Sequence, residues 1–217
     1  MIRIVIAEDH HLVRQGICAL LQKDGGIQVV GEAADGYAAL EQVQKLLPDV
    51  LLMDVAMPQL NGVEAVRRLA SLKLRAKVLM LSMYLDEGLV RQALQFGARG
   101  YLLKQSVAGE LIEAVHTVHQ GGLFLCSKLP SSLRNACLRP DATKECHSVL
   151  EQLTSREREV FQLVAEGDTN KAIGLKLGLS EKTIEKHRAR LMQKLDLHDA
   201  AGLVRAAIKH RIAFVDT

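Results

Sequence analysis

Leu51-Leu52-Met53-Asp54-Val55-Ala56-Met57-Pro58 is the stretch on which the fold of the first half of the chain turns. Three apolar residues run into one carboxylate, Asp54, and no cation stands beside it. A buried charge is costly unless it is paired or coordinates a metal. Either Asp54 lies at a surface edge, or other parts of the chain come to meet it.

The same strand-like pattern recurs on both sides. Ile2–Ala7, Ile27–Glu32, Lys77–Ser82 and Gly100–Leu103 join Val50–Asp54 as short apolar runs. Helical periodicity separates them, at roughly His11–Gln22, Gly36–Leu47, Gly62–Ser71, Glu87–Phe96 and Val107–His119. Strands and helices in strict alternation predict a doubly wound, five-stranded parallel sheet covered on both faces, over residues 1–121.

From Gly121-Gly122 the periodicity fades, and Pro130, Ser131-Ser132 and Arg139-Pro140-Asp141 mark a linker over 122–147 with room for one short helix. Residues 148–217 read as all helical. Thr154-Ser155-Arg156-Glu157 is a capping-box pattern opening a helix that Gly167 stops. Thr169 caps a second (Asn170–Leu177), Ser180 a third (Glu181–Leu195) and Asp199 a fourth (Ala200–Lys209). The glycine turn at Gly178 makes the middle pair a helix-turn-helix candidate. The fold class is therefore α/β followed by a four-helix, all-α domain.

Composition bounds the function classes. The 217 residues, 48% hydrophobic and 24% charged, suit two small globular domains and no disordered chain. No apolar run approaches a membrane span, and the start turns acidic too soon for a secretory signal, so a cytoplasmic protein without a membrane partner is expected. Cys18, Cys126, Cys137 and Cys146 form no metal-binding pairs, and Cys146-His147 alone is a weak zinc signal against free thiols. The net charge of +3 says little, but its placement says more. Within Glu181–Leu195 five bases (Lys182, Lys186, Arg188, Arg190, Lys194) stand against two acids.

In a doubly wound sheet, ligands bind beyond the carboxyl ends of the strands. Glu8 and Asp9 close the first strand, Ser82 ends the fourth and Lys104 follows the fifth, so all reach the edge that holds Asp54. Each has an ordinary reading: Glu8-Asp9 as a helix cap, Ser82 as a turn residue, Lys104 as a surface lysine. Together they suit phosphoryl chemistry. Asp54 would be the nucleophile, Mg²⁺ would neutralise the crowded carboxylates, and Lys104 and Ser82 would hold phosphoryl oxygens.

Ile4-Val5-Ile6-Ala7-Glu8-Asp9-His10, Met53–Pro58 with Asn61-Gly62, Leu81-Ser82 and Gly100-Tyr101-Leu102-Leu103-Lys104 resemble the receiver domain of two-component response regulators. The resemblance implies a flavodoxin-like fold in which Asp54 accepts a phosphoryl group from a sensor histidine kinase and lacks an internal partner for that reason. It also implies Mg²⁺ held by Asp9, Asp54 and the Ala56 carbonyl, with Glu8 acting through water. The Ser82 hydroxyl and Tyr101 ring would reorient on phosphorylation. Two departures are Glu8-Asp9, where many receivers have Asp-Asp, and Gln105, where many have proline.

Leu153–Val160, Ser180–His187 and Lys194-Leu195 resemble a LuxR-type DNA-binding domain, and the two modules together resemble the NarL/FixJ class of response regulator. DNA contact is then expected from Lys182, Thr183, Glu185, Lys186, His187, Arg190 and Lys194. On a helical wheel Ile184, Leu191 and Leu195 point inward, while Lys182, Lys186, Ala189 and Gln193 point outward with Arg190 beside them. Glu185 replaces a frequent lysine and either accepts from cytosine or pairs with a neighbouring lysine. His187 suits packing as well as a phosphate contact. The implied partners are the kinase, double-stranded DNA, a second copy on phosphorylation and RNA polymerase. The implied chemistry is confined to the chain's own aspartyl phosphorylation and dephosphorylation. A haloacid-dehalogenase-type hydrolase fits poorly, because position 56 is alanine and the nucleophile lies on the third strand. A regulator that binds DNA without phosphorylation is the other alternative.

Overall fold

The computed structural model describes residues 1–72, 74–137, 152–209 and 212. The chain divides into two compact units, Met1–Cys146 and His147–Thr217. No helix among the described residues is long and apolar enough to cross a membrane.

In the first unit the strands are β1 (Ile2–Ala7), β2 (Ile27–Ala33), β3 (Val50–Asp54), β4 (Lys77–Ser82), β5 (Gly100–Leu103) and β6 (Phe124–Leu125). The helices are α1 (His11–Leu21), α2 (Gly36–Leu46), α3 (Gly62–Ser71), α4 (Glu87–Gln95), α5 (Val107–His119) and α6 (Ser131–Cys137). The sheet runs β2-β1-β3-β4-β5-β6, and every pairing is parallel. Strand β3 is buried from end to end, as its continuous apolar run requires. Side chains start the helices that leave the sheet: Asp35, Asn61 and Asp86 accept amide hydrogens from Ala38, Glu64 and Leu89.

Six strands replace the expected five. Phe124 and Leu125 pair with Gly100 and Tyr101 and extend the sheet edge. Two residues are too few for a period to be legible, and the strand falls where glycines had signalled a linker. Gly121, at φ +90°, turns the chain back after α5. Beyond β6, Leu129 and Leu133 are buried and α6 packs beside α4, so the opening of the expected linker belongs to the first unit. Arg139-Pro140-Asp141, Cys146 and His147 lie outside the described residues. Cys18, Cys126 and Cys137 are free thiols.

The order reverses between β1 and β3, the switch point at which such sheets bind ligands. Ala7 pairs with Met53, so the register places Glu8 and Asp54 side by side at the carboxyl edge.

The second unit holds α7 (Ser155–Ala165), α8 (Asn170–Leu177), α9 (Glu181–Lys194) and α10 (Ala200–Lys209). Val160, Phe161, Ile173, Ile184, Leu191 and Leu203 meet in its core. The capping box forms at Thr154 and Glu157, and Gly178 adopts the left-handed conformation at φ +65° that ends α8.

Candidate functional site

Asp54 closes β3 at 1% exposure, and Glu8 follows β1 at 0%. Two carboxylates so buried would repel, and Lys104, which opens a 3₁₀ turn after β5, comes between them. Its Nζ lies 2.8 Å from Asp54 Oδ2 and 2.7 Å from Glu8 Oε2. The expectation that Asp54 lacks an internal partner is thus corrected for one oxygen. Oδ2 takes the ammonium, whereas Oδ1 is buried without a hydrogen-bond partner. A buried orphan acceptor is costly and suits a ligand supplied from outside.

Burial pushes the Asp54 carboxyl up to about 7, against the Lys104 charge and with the Glu8 charge, while the Ala56 amide biases it weakly downward. For Lys104, burial favours the neutral amine, but Asp54 and Glu8 outweigh it and hold the ammonium above its usual range.

Asp9 stands at the same edge, half-buried, with Oδ1 2.8 Å from His10 Nδ1. The His10 amide donates to Glu8 Oε1 at 3.2 Å. Ala56 is half-buried in the loop after β3. That loop returns tightly: the Gly62 amide donates to Val55 O, and a Cβ at Gly62 would lie 1.9 Å from the Asp54 carbonyl. Only glycine fits, which accounts for Asn61-Gly62. Carboxylates and a carbonyl are hard oxygen donors, and with the orphan Oδ1 they fit Mg²⁺.

Ser82 and Tyr101 lie further along the edge, both buried. Ser82 Oγ donates to Tyr84 O at 3.0 Å and accepts from Tyr84 N at 3.1 Å. Tyr101 Oη donates to the same carbonyl at 3.2 Å. Burial pushes the Tyr101 phenol up to about 12, so it stays a donor. Both hydroxyls are therefore engaged with the β4–α4 loop.

On α9, Ile184 and Leu191 are buried, while Lys182, Glu185, Lys186, Ala189, Arg190 and Gln193 are exposed, as the wheel expects. Thr183 and His187 are half-buried. The Thr183 hydroxyl lies 2.8 Å from Ser180 Oγ within the helix cap. Burial lowers the affinity of His187 for a proton. Arg188 donates to Asn170 Oδ1 at 2.8 Å and braces α8 against α9. Lys194, expected to contact DNA, is instead tied within the unit: its Nζ contacts Glu157 Oε2 at 2.7 Å and Gln152 O at 2.9 Å. Its charge is committed inside the unit because Glu157 is buried and needs a cation.

Sequence reasoning overlooked three residues. Tyr84 is engaged through its backbone, which no residue type signals. Glu157 was read only as half of a capping box, yet its Oε2 also ties the end of α9. His10 was legible as a third potential ligand directly after Glu8-Asp9.

An α/β unit with a buried acidic switch point and a helix-turn-helix unit in one chain define a class, the DNA-binding two-component response regulators. Residues 4–116 match the response regulator receiver domain, and residues 151–207 match the bacterial regulatory proteins of the luxR family. The chain belongs to this family, in the NarL/FixJ class. It is 40% identical over 221 residues to the transcriptional regulatory protein DegU of Brevibacillus brevis, covering 96% of this chain and 94% of that one. It is 32% identical to the response regulator UvrY of Escherichia coli, covering 100% and 98%. Among solved structures, the receiver domain of the putative response regulator NarL from Mycobacterium tuberculosis is 42% identical, with TM-score 0.54, covering 55% of this chain and 97% of that one. RcsB of Salmonella enterica serovar Typhimurium, bound to promoter rprA in the presence of phosphomimetic BeF₃⁻, is 26% identical over 94% and 96% of the two chains, with TM-score 0.60.

Proposed function

We propose that the protein is cytoplasmic, that Asp54 is the phosphoacceptor, that a sensor histidine kinase supplies the phosphoryl group, and that phosphorylation controls dimerisation on DNA. The observation that carries this reading is the buried Asp54 carboxylate with one oxygen on Lys104 and the other unpartnered. An Asp54 oxygen attacks phosphorus, the bond to the kinase histidine breaks, and an acyl phosphate forms. Lys104 then moves its hydrogen bond from the carboxylate to a phosphoryl oxygen, and Ser82 gives up Tyr84 to hold another. Asp9, Asp54 and the Ala56 carbonyl hold Mg²⁺, with Glu8 acting through water. When bound, the ion neutralises the charge that the carboxylates and the phosphoryl group would otherwise bring together.

Lys182, Glu185, Lys186 and Arg190 are the DNA-facing residues of α9, with Thr183 and His187 beside the phosphates. Two copies reading half-sites about one helical turn apart supply the affinity that one copy lacks. Once on DNA, the dimer acts on RNA polymerase. The test is incubation with a small phosphodonor and Mg²⁺, with the label located by mass spectrometry and DNA affinity measured in parallel. Label on Asp54, absent from Asp54→Asn, together with tighter binding to operator DNA, is expected. Label persisting in Asp54→Asn overturns the assignment, and unchanged DNA affinity favours a phosphorylation-independent regulator.

A further inference from the structure

We infer that the first unit carries a binding site for a small amphipathic carboxylate at the amino edge of its sheet, at the opposite ends of the strands from Asp54 and Ser82. A cavity of about 790 Å³ opens there, between the end of α2, the entries to β3 and β4 and the end of α5. That size lies in the range of sites that hold small organic ligands. Its lining is divided. Leu47, Pro48 and Leu74 make an apolar wall, while Arg75, Lys77 and His119 supply cationic and hydrogen-bonding groups.

Charge decides the sign of the ligand. Asp49 also lines the cavity, but its Oδ2 accepts the Arg3 amide at 2.8 Å and its backbone carbonyl accepts the Lys77 amide at 3.0 Å. The carboxylate is thereby committed to β1. Lys77 is half-buried and donates to the His119 carbonyl, which fixes its ammonium at the cavity and leaves further donors free. Arg75 is exposed, and its guanidinium has no hydrogen-bond or ion-pair partner among the described residues. Two cations against one committed acid favour an anion, and the planar guanidinium fork matches a carboxylate.

Leu47 gives the ligand its apolar part. It ends α2 at φ +47°, in the left-handed region that favours glycine, and directly before Pro48, where a residue is steered toward extended conformations. Its side chain is 63% exposed and adds little to the core. A leucine so placed strains the turn, and what it supplies is one wall of the cavity. A carboxylate head on Arg75 and Lys77, with an aliphatic or aromatic body against Leu47, Pro48 and Leu74, satisfies both halves of the lining. Such a ligand stays clear of the acidic edge. Strand β4 starts at Lys77 and ends at Ser82, and Val50, which pairs with Lys77, starts the strand that ends at Asp54. The occupant therefore competes with neither Mg²⁺ nor a phosphoryl group.

The test titrates octanoate into the isotope-labelled full chain and follows its backbone amides by NMR. Saturable shifts at Leu47, Asp49, Arg75 and Lys77 are expected, with the Glu8, Asp9 and Asp54 amides unmoved. Octanol, which keeps the chain and lacks the charge, should bind the wild type at least about tenfold more weakly than octanoate does. Arg75→Gln should weaken octanoate binding by a similar factor, and Arg75→Lys should lose less. Leu47→Gly, which relieves the turn, should stay folded and also bind octanoate more weakly. Asp54→Asn should bind it as the wild type does, so the site is read whether or not Asp54 proves to be the phosphoacceptor. Octanol binding as tightly as octanoate, equal affinity in the wild type and Arg75→Gln, or no saturable shift at these amides would overturn the inference.

Discussion

Tyr101 donates its phenolic hydrogen to the Tyr84 carbonyl, 3.2 Å away, and so ties strand β5 to the loop that follows β4. The same carbonyl accepts from Ser82 Oγ, and the backbone carbonyl of Tyr101 accepts the Cys126 amide just after β6. One residue therefore contacts both the loop beside Asp54 and the newly found edge of the sheet. If Ser82 turns toward a phosphoryl oxygen, the loop loses two of its three ties at once. Ser82→Ala should loosen the loop in advance, at about 1 kcal/mol for each lost hydrogen bond. Hydrogen exchange at the Tyr84 amide should rise several-fold in the unphosphorylated variant. Unchanged protection would show that Tyr101 alone holds the loop.

Metal binding should weaken in acid. The Asp54 carboxyl must be ionised to serve as a ligand, and in the folded chain it titrates at about 7. Below that value protons compete with the metal, and Mg²⁺ affinity should fall by up to about tenfold per pH unit. A Mg²⁺ titration series from about pH 8 down to about pH 5.5 reads this directly. A flat profile would place the carboxyl well below 7.

Asp54→Asn should stabilise the metal-free protein by an amount that grows from about pH 4 to about pH 7 and is then constant. The carboxyl sits near 3.8 when solvated and near 7 when folded. Between those values the native state holds the extra proton, so stability declines as pH rises from about 4 to about 7 and then levels off. Removing the charge should recover roughly 1–4 kcal/mol at about pH 8 and little at about pH 4, the upper figure being reduced because Lys104 loses one of its two anions. Urea unfolding at the two pH values measures it.

Lys194 should act on stability before it acts on DNA. Its removal leaves Glu157 buried without a cation: burial pushes that carboxyl up, and the Lys194 contact together with the Thr154 amide outweighs burial to hold it below its usual range. Lys194→Ala should destabilise the helical unit by about 1–3 kcal/mol, read as faster amide exchange in α7 and α9. Its effect on the salt dependence of DNA binding should be smaller than that of Lys182→Ala, whose exposed amine is free to meet a phosphate and should reduce the slope by about 0.9.

Base reading and phosphate grip should separate along α9. Lys186 and Glu185 are exposed in mid-helix. Replacing either with alanine should change the preferred base at one position per half-site by roughly 1–3 kcal/mol. Titrations on a matched site and on scrambled DNA, over a salt series, measure the preference ratio. If Lys186→Ala leaves that ratio untouched, α9 is not the reading helix.

Most of the architecture was legible before any coordinates, because it rests on local rules. Continuous apolar runs mark strands covered on both faces, and the βα alternation together with right-handed crossovers brings their carboxyl ends to one edge. That is why Glu8, Asp9, Asp54, Ser82 and Lys104 could be assigned to one place from spacing alone. Ser180 and Gly178 likewise fix where α9 starts, and its wheel fixes which face is open. Where local signals were faint, the reading failed. Phe124–Leu125 is too short to show a period, and becomes a strand only because β5 offers an unpaired edge.

Pairings between distant side chains were decided by the tertiary structure alone. Spacing brings Lys104 to the edge but does not say that its ammonium bridges Asp54 and Glu8 and leaves Asp54 Oδ1 unpartnered. Nor does it say that Lys194 turns inward to Glu157, 37 residues away in sequence. Each choice depends on the depth to which folding buries a carboxylate. A buried carboxylate claims whichever cation the packed backbone brings within reach, and no pattern of neighbours in the sequence encodes that distance.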